Sequence, residues 1–243
     1  MPALNATTLL AVWEQGVSQH PLQRALALLA LAWPQKSADE WATVTIGERD
    51  RKLLQLRDEL FGSKLEAIAI CPKCETRLEL IFSTRDLQTP VAESATGFEA
   101  LRLESGDYEV DYRLPTSADL LEVTNSPGKA RELLLERCVN ARGGGVAIAA
   151  AALPGAVVEL LGEKMAEADP QAEVQIALDC PACRHRWSSV FDIFSYLWGE
   201  IEDWAERLLR DVHSLALAYG WSERDIIAMS ARRRRLYLEM VGA

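Results

Sequence analysis

The stretch CPKCETRLELIF, residues 71–82, decides how this chain is read, because CPACRHRWSSVF at residues 180–191 repeats it. In both, a proline follows the first cysteine, the second cysteine comes three positions on, and a short run with strand character follows. Aligned on the second cysteine, Leu78 falls on Trp187 and Phe82 on Phe191. The residues ahead match in kind as well. LEAIAI leads into Cys71 and AEVQIAL toward Cys180, so each copy reads as strand, cysteine knuckle, strand.

One CxxC knuckle supplies two thiolates, whereas a structural zinc ion takes four ligands in a tetrahedron. Two knuckles brought face to face complete that shell, which is the arrangement of a zinc ribbon. Cys71, Cys74, Cys180 and Cys183 are therefore the expected ligands of one structural zinc. The long intervening segment is compatible with this, because loop-closure entropy grows only with the logarithm of loop length. A redox role for either pair is the weaker alternative. A redox CxxC belongs at a helix start, and here apolar alternation follows both motifs. Disulfides suit poorly a chain whose opening residues, MPALNATTLLAVWEQ, show neither a basic region nor a cleavage-like site. Four thiolates also leave no open position for catalysis. His185, beside a complete set, reads as a strand residue, and Cys138 as packing on an amphipathic helix.

The rest of the composition narrows the class. A chain of 243 residues can bury one large core or two modest ones. Its 36 acidic and 26 basic residues leave a net charge of −10, which works against general affinity for nucleic acid or anionic membrane. The longest apolar runs, ALALLALAW from Ala25 and VAIAAAAL from Val146, are too short to span a bilayer. A cytoplasmic protein without a membrane partner is expected.

Along the chain, helical patterns cover residues 6–16, 20–32 and 47–60, with Pro21 in a first turn and Gly62 placed as a cap. TPVAESATG, residues 89–97, is a loop by composition. FEALRLESGDYEVDYRL, residues 98–114, reads as a hairpin with Tyr108, Val110, Tyr112 and Leu114 on one face. Helices are expected over residues 117–123 and 126–140, then a linker at Gly143 to Gly145, then a further helix from Pro154. A long helix over residues 194–219 carries Leu197, Ile201, Trp204, Leu208, Val212, Leu215 and Tyr219 on one stripe, widened by Trp198, Ala205 and Leu209. Gly220 ends it, and Ser222 and Ser230 open two short helices, the second carrying Arg232 to Arg235.

The fold class is thus α+β: a discontinuous four-cysteine zinc ribbon with an inserted hairpin-plus-helices unit and helical terminal regions. The boundaries fall at residues 1–62 for the N-terminal helices, 63–83 with 171–192 for the ribbon, 84–170 for the insert and 193–243 for the C-terminal helices. No catalytic constellation appears. His20 precedes a helix-starting proline, His213 lies on the long helix, and the glycine run lacks the lysine and Ser/Thr of a phosphate loop. The chain does not read as an enzyme.

The C-terminal helices combine a wide apolar stripe with a basic end on an acidic chain. Interface energy concentrates in a few aromatic and arginine residues, which singles out Tyr219, Trp221, Arg233 and Tyr237 as partner-contact candidates. The same basic end carries an alternative, a zinc-ribbon regulatory protein binding nucleic acid through Arg232 to Arg235. The acidic balance and the lack of a long recognition helix argue against it.

YRLPTSADLLEV at residues 112–123, ARELLLERCV at residues 130–139 and the whole run from Leu178 to Met240 also carry a likeness. Over roughly Phe98 to Met240 the chain resembles the baseplate hub assembly chaperone family of T-even phages, whose relatives occur in extracellular contractile injection systems. The resemblance is most specific from Cys180 onward. It implies a non-catalytic assembly factor or minor baseplate component, with baseplate or hub proteins of a contractile tail-like particle as partners. The two knuckles mark a subgroup within such a family.

Overall fold

A computed structural model describes residues 4–89, 100–124 and 126–242 of the chain. In chain order, its early elements are α1 (Ala6–Gly16), α2 (Pro21–Ala32), α3 (Ala38–Ala42), α4 (Ile46–Phe61), β1 (Lys64–Ile70) and β2 (Arg77–Ser83). There follow β3 (Leu101–Ser105), β4 (Tyr108–Tyr112), α5 (Ser117–Val123), α6 (Ala130–Cys138), β5 (Val139–Gly143), β6 (Val146–Ile148) and α7 (Gly155–Ala168). The last are β7 (Gln175–Asp179), β8 (Arg186–Val190), α8 (Ile193–Tyr219), α9 (Glu223–Ile227) and α10 (Ala231–Val241). The loop reading of TPVAESATG falls, apart from Thr89, outside the described residues.

Two compact units result, one of Met1–Gln35 with Phe194–Ala243 and one of Lys36–Ile193. The first is helical, and its helices begin where side chains can satisfy free amides. Asn5 accepts from the Thr8 amide at the head of α1. Ser222 and Ser230 cap α9 and α10 in the same way. The stripe on α8 is buried at Ala205, Leu208, Val212 and Leu215, where it shares a core with Leu10 of α1 and with Ile226 and Ile227 of α9. Trp198 fills the next position along the unit. A Cβ on Gly16 would stand 2.3 Å from its ring, and the Arg24 guanidinium lies 4.8 Å from the ring centroid. Gly220, at φ +68°, ends α8 in the left-handed conformation that glycine adopts without strain.

The second unit holds a four-stranded antiparallel sheet in the order β3-β4-β5-β6 and two separate two-stranded hairpins, β1-β2 and β7-β8. The large sheet packs Leu103, Val110, Tyr112, Val139 and Ala141 against Val157 and Leu161 of α7. Two expectations are corrected here. The helix expected to Asn140 ends at Cys138, and Val139–Gly143 turns into β5 beside β4, with Tyr112 opposite Val139. The glycine run is the turn of the β5-β6 hairpin, with Gly144 and Gly145 at positive φ, and not a linker. Asp119, at the first turn of α5, ties this region together. Its carboxylate accepts both Arg113 guanidinium nitrogens, at 2.6 and 2.7 Å, Arg137 Nε at 2.9 Å and the Thr116 hydroxyl at 2.8 Å. Among the described residues, no helix is long and apolar enough to cross a membrane.

Candidate metal centre

The two CxxC motifs fold into the same turn. In the first, the Cys71 carbonyl accepts from the Glu75 amide at 2.9 Å, and the Cys71 amide donates to the Thr76 carbonyl at 3.0 Å. In the second, the Cys180 carbonyl accepts from Arg184 at 2.9 Å, and the Cys180 amide donates to His185 at 2.9 Å. Glu75 and Arg184, each following the second cysteine, both sit at φ +58°. A side chain there costs about 1–2 kcal/mol, so both turns hold strain at the equivalent residue.

The turns present four sulfurs to one another. All four Sγ atoms lie within 4.8 Å of each other, forming a group that can hold a metal ion. The close pairs run crosswise between the copies, Cys71 to Cys183 at 3.6 Å and Cys74 to Cys180 at 3.5 Å. These separations are far beyond the ~2.05 Å of a disulfide, and all four cysteines are free thiols. Cys71 and Cys180 are buried, Cys183 is half-buried and Cys74 is exposed. Hydrogen bonds from the Thr76 side chain and backbone pull the Cys74 thiol down to about 6, in the direction that favours the thiolate form a metal takes. At Cys183 the His185 backbone works in the same direction, but burial and the neighbouring thiols outweigh it and push the thiol up to about 12. Crowding of this kind is relieved by a cation among the sulfurs.

Thr76 is a residue that the cysteine spacing did not single out, because its hydrogen bond to Cys74 depends on the turn that the structure shows. His185 is not a member of the sulfur group. Its ring stacks on Trp187 with centroids 5.9 Å apart. Cys138 lies away from this site in the core of the large sheet, where burial pushes its thiol up to about 11.

The four partner-contact candidates come together in the helical unit. Tyr219 stacks on Trp221 at 4.4 Å, and Tyr237 meets Trp221 edge-on at 4.8 Å and Tyr219 at 5.8 Å. The Arg233 guanidinium lies 5.6 Å over the Tyr237 ring. Tyr219 and Arg233 are exposed, while Trp221 and Tyr237 are half-buried against the helical core. Sequence reasoning passed over the exposed apolar residues Leu217, Leu236 and Met240 on the same helices, although Leu236 and Met240 stand one helical turn apart. Of the four consecutive arginines, Arg234 turns inward and donates to the Met229 carbonyl at 2.7 Å, while Arg232, Arg233 and Arg235 are exposed. No family model, no curated protein and no solved structure matches the chain.

Proposed function

We propose that the protein is a non-catalytic assembly factor or minor structural component of a phage-like contractile injection system baseplate, acting through protein contacts on a zinc-stapled scaffold. The observation that carries this reading is the cluster of Tyr219, Trp221, Tyr237 and Arg233. It lies in the stretch from Cys180 onward, where the likeness to the baseplate hub chaperone family is most specific. Aromatic and arginine side chains grouped around a partly exposed centre are the composition of an interface hot spot.

The scaffold part of the proposal is that Cys71, Cys74, Cys180 and Cys183 hold one structural zinc as a zinc ribbon. Zinc–thiolate bonds of ~2.3 Å in a tetrahedron set sulfurs ~3.8 Å apart. The crosswise pairs at 3.6 and 3.5 Å stand close to that spacing. Four thiolates suit zinc chemically, and the ion would cross-link two hairpins that are distant in sequence.

The alternative, a regulatory protein binding nucleic acid through α10, draws on the exposed Arg232, Arg233 and Arg235. A chain of net charge −10 opposes that association at long range.

The test is co-purification of the full chain with co-expressed sheath, tube and spike subunits, comparing wild type with the double variant Tyr219→Ala, Arg233→Glu. Both side chains are exposed, so the variant is expected to fold and to keep its metal. Capture of a baseplate subunit by the wild type and its loss in the variant supports the reading. Capture of none of them, together with a salt-dependent shift of DNA by the wild type, would replace it with the alternative.

A further inference from the structure

The two hairpins leave two strand edges bordering one groove. Among the described residues, β2 pairs only with β1, and β7 pairs only with β8. Between β2 and β7 lies a groove of about 530 Å³, lined by Glu79 to Phe82 on one side and Val174 to Leu178 on the other, with Asp86 and Leu87 at one end. Side chains alternate between the faces of a strand, so the face of a hairpin would contribute every second residue. Runs of consecutive residues border a groove where the edge of the strand, with its backbone, forms the wall.

The hydrogen bonds show which backbone groups that edge presents. In the first hairpin the Cys71 amide donates to Thr76 at 3.0 Å and the Thr84 amide to Ser63 at 3.0 Å. Bonded and non-bonded pairs alternate along an antiparallel ladder. Leu78, Leu80 and Phe82 therefore bond to β1, and Glu79 and Ile81 turn their N–H and C=O groups to the open side. In the second hairpin the Cys180 amide donates to His185 and the Phe191 amide to Val174, which turns Gln175 and Ala177 outward in the same way. Folded proteins blunt such edges with proline, bulges or cover. β2 has no proline, and its edge residue Ile81 is 70% exposed.

The lining defines what fits. Leu80, Phe82, Ile176 and Leu178 give the groove an apolar floor, and among the described lining residues the charged ones, Glu79 and Asp86, are both acidic. An extended chain laid along β2 would alternate its side chains, one set pointing over that floor and the other outward beside Glu79. We propose that this groove takes an extended segment of a partner protein by strand addition to β2, with apolar residues at alternate positions and Lys or Arg between them. Main-chain bonds to Glu79 and Ile81 supply the affinity, and the apolar floor and acidic rim supply the selection. This site is separate from the aromatic cluster at Tyr219 and does not depend on it.

The test uses a blocked six-residue peptide alternating valine and lysine, titrated into the full metal-loaded chain and followed by backbone amide resonances and hydrogen exchange. Binding is expected to slow exchange at the Glu79 and Ile81 amides. Methylating the peptide amides on its pairing edge should weaken binding by about tenfold or more, because those donors are lost. Replacing each lysine by glutamate should weaken it as well. The wild-type chain serves in all three arms, so a misfolded variant cannot confuse them. The chain carrying Tyr219→Ala and Arg233→Glu should bind the peptide as the wild type does, which separates this site from the proposed baseplate contact. Unchanged exchange at Glu79 and Ile81 with saturating peptide would overturn the proposal. So would equal binding of the methylated or the glutamate peptide, or loss of binding in the Tyr219 and Arg233 variant.

Discussion

Phe82 and Phe191 meet edge to face, with ring centroids 5.7 Å apart and ring planes at 87°. They occupy the same position in the two cysteine motifs, so a residue of one copy touches its own counterpart in the other. The sulfur pairs obey the same rule, because the first cysteine of each copy approaches the second of the other. Contacts of this kind are the mark of a two-fold axis, here local and contained within one chain. A double-mutant cycle on Phe82→Leu and Phe191→Leu tests it. The edge-to-face contact should appear as a coupling of about 0.5–1.5 kcal/mol. Additive losses would mean that the two rings are buried independently.

Metal analysis of protein purified without chelators is expected to find one zinc per chain. Serine in place of Cys71, Cys74, Cys180 or Cys183 should abolish stoichiometric metal and lower the unfolding temperature of the Lys36–Ile193 unit. A clip joining positions so far apart restricts the unfolded chain much as a disulfide does, by roughly 4.7 kcal/mol for a 100-residue loop. Each of the four variants should therefore lose several kcal/mol in denaturant unfolding. Because the ligands must be thiolates, chelator should strip the ion more readily as the pH falls.

Glu75→Gly and Arg184→Gly are expected to be neutral or stabilising. Both residues hold φ at +58°, a conformation that costs a side chain about 1–2 kcal/mol and costs glycine little. The greater freedom of glycine in the unfolded chain returns part of that gain. The two variants should behave alike, since the turns are alike. A loss above about 1 kcal/mol in either would show that its side chain does something the turn geometry does not reveal.

Asp119 is a source of acid sensitivity. Burial alone would raise its pKa, but hydrogen bonds from Arg113, Thr116 and Arg137 outweigh that and hold the carboxyl well below the usual carboxylate range. A depressed folded value means stability that is fully present above the unfolded pKa of about 3.9 and lost as the pH falls below it toward the folded value. Asp119→Asn removes the buried carboxylate that two partly exposed arginines share and should cost about 1–3 kcal/mol at neutral pH. The variant should also show a shallower fall in stability between pH 4 and pH 2, read from urea unfolding at each pH. An equal slope in both proteins would place the acid sensitivity elsewhere.

Much of the local structure was legible because it rests on local rules. The span Ala6–Gly16, the restarts at Ser222 and Ser230, and the alternation of Tyr108, Val110 and Tyr112 follow from caps and periodicity within a few residues. The short helix Ala38–Ala42 was passed over, since one turn carries too few apolar positions to show a period, although Ser37 and Glu40 form a capping box. The helix expected from sequence carries on to Asn140, two residues into β5, because Leu133, Leu134, Leu135 and Cys138 lead there without a break. The strand state of Val139–Gly143 is decided by pairing with Tyr108–Tyr112, a partner that the local pattern does not reveal. At the candidate metal site the residue types and their spacing named all four cysteines. The crosswise approach of the sulfurs depends on how two hairpins dock, which no spacing encodes.

The wide separation of the two knuckles bears on how the protein is made. Cys74 and Cys180 stand 106 positions apart. At a synthesis rate of about 5–20 residues per second, the first pair waits roughly five to twenty seconds for the second. During that interval Cys71 and Cys74 form half a site, open to any soft metal or oxidant in the cell. The yield of correctly loaded protein should therefore depend on zinc supply while the chain is growing. Cells grown zinc-poor and given zinc only after synthesis has stopped are expected to recover less folded protein than cells given the same zinc throughout.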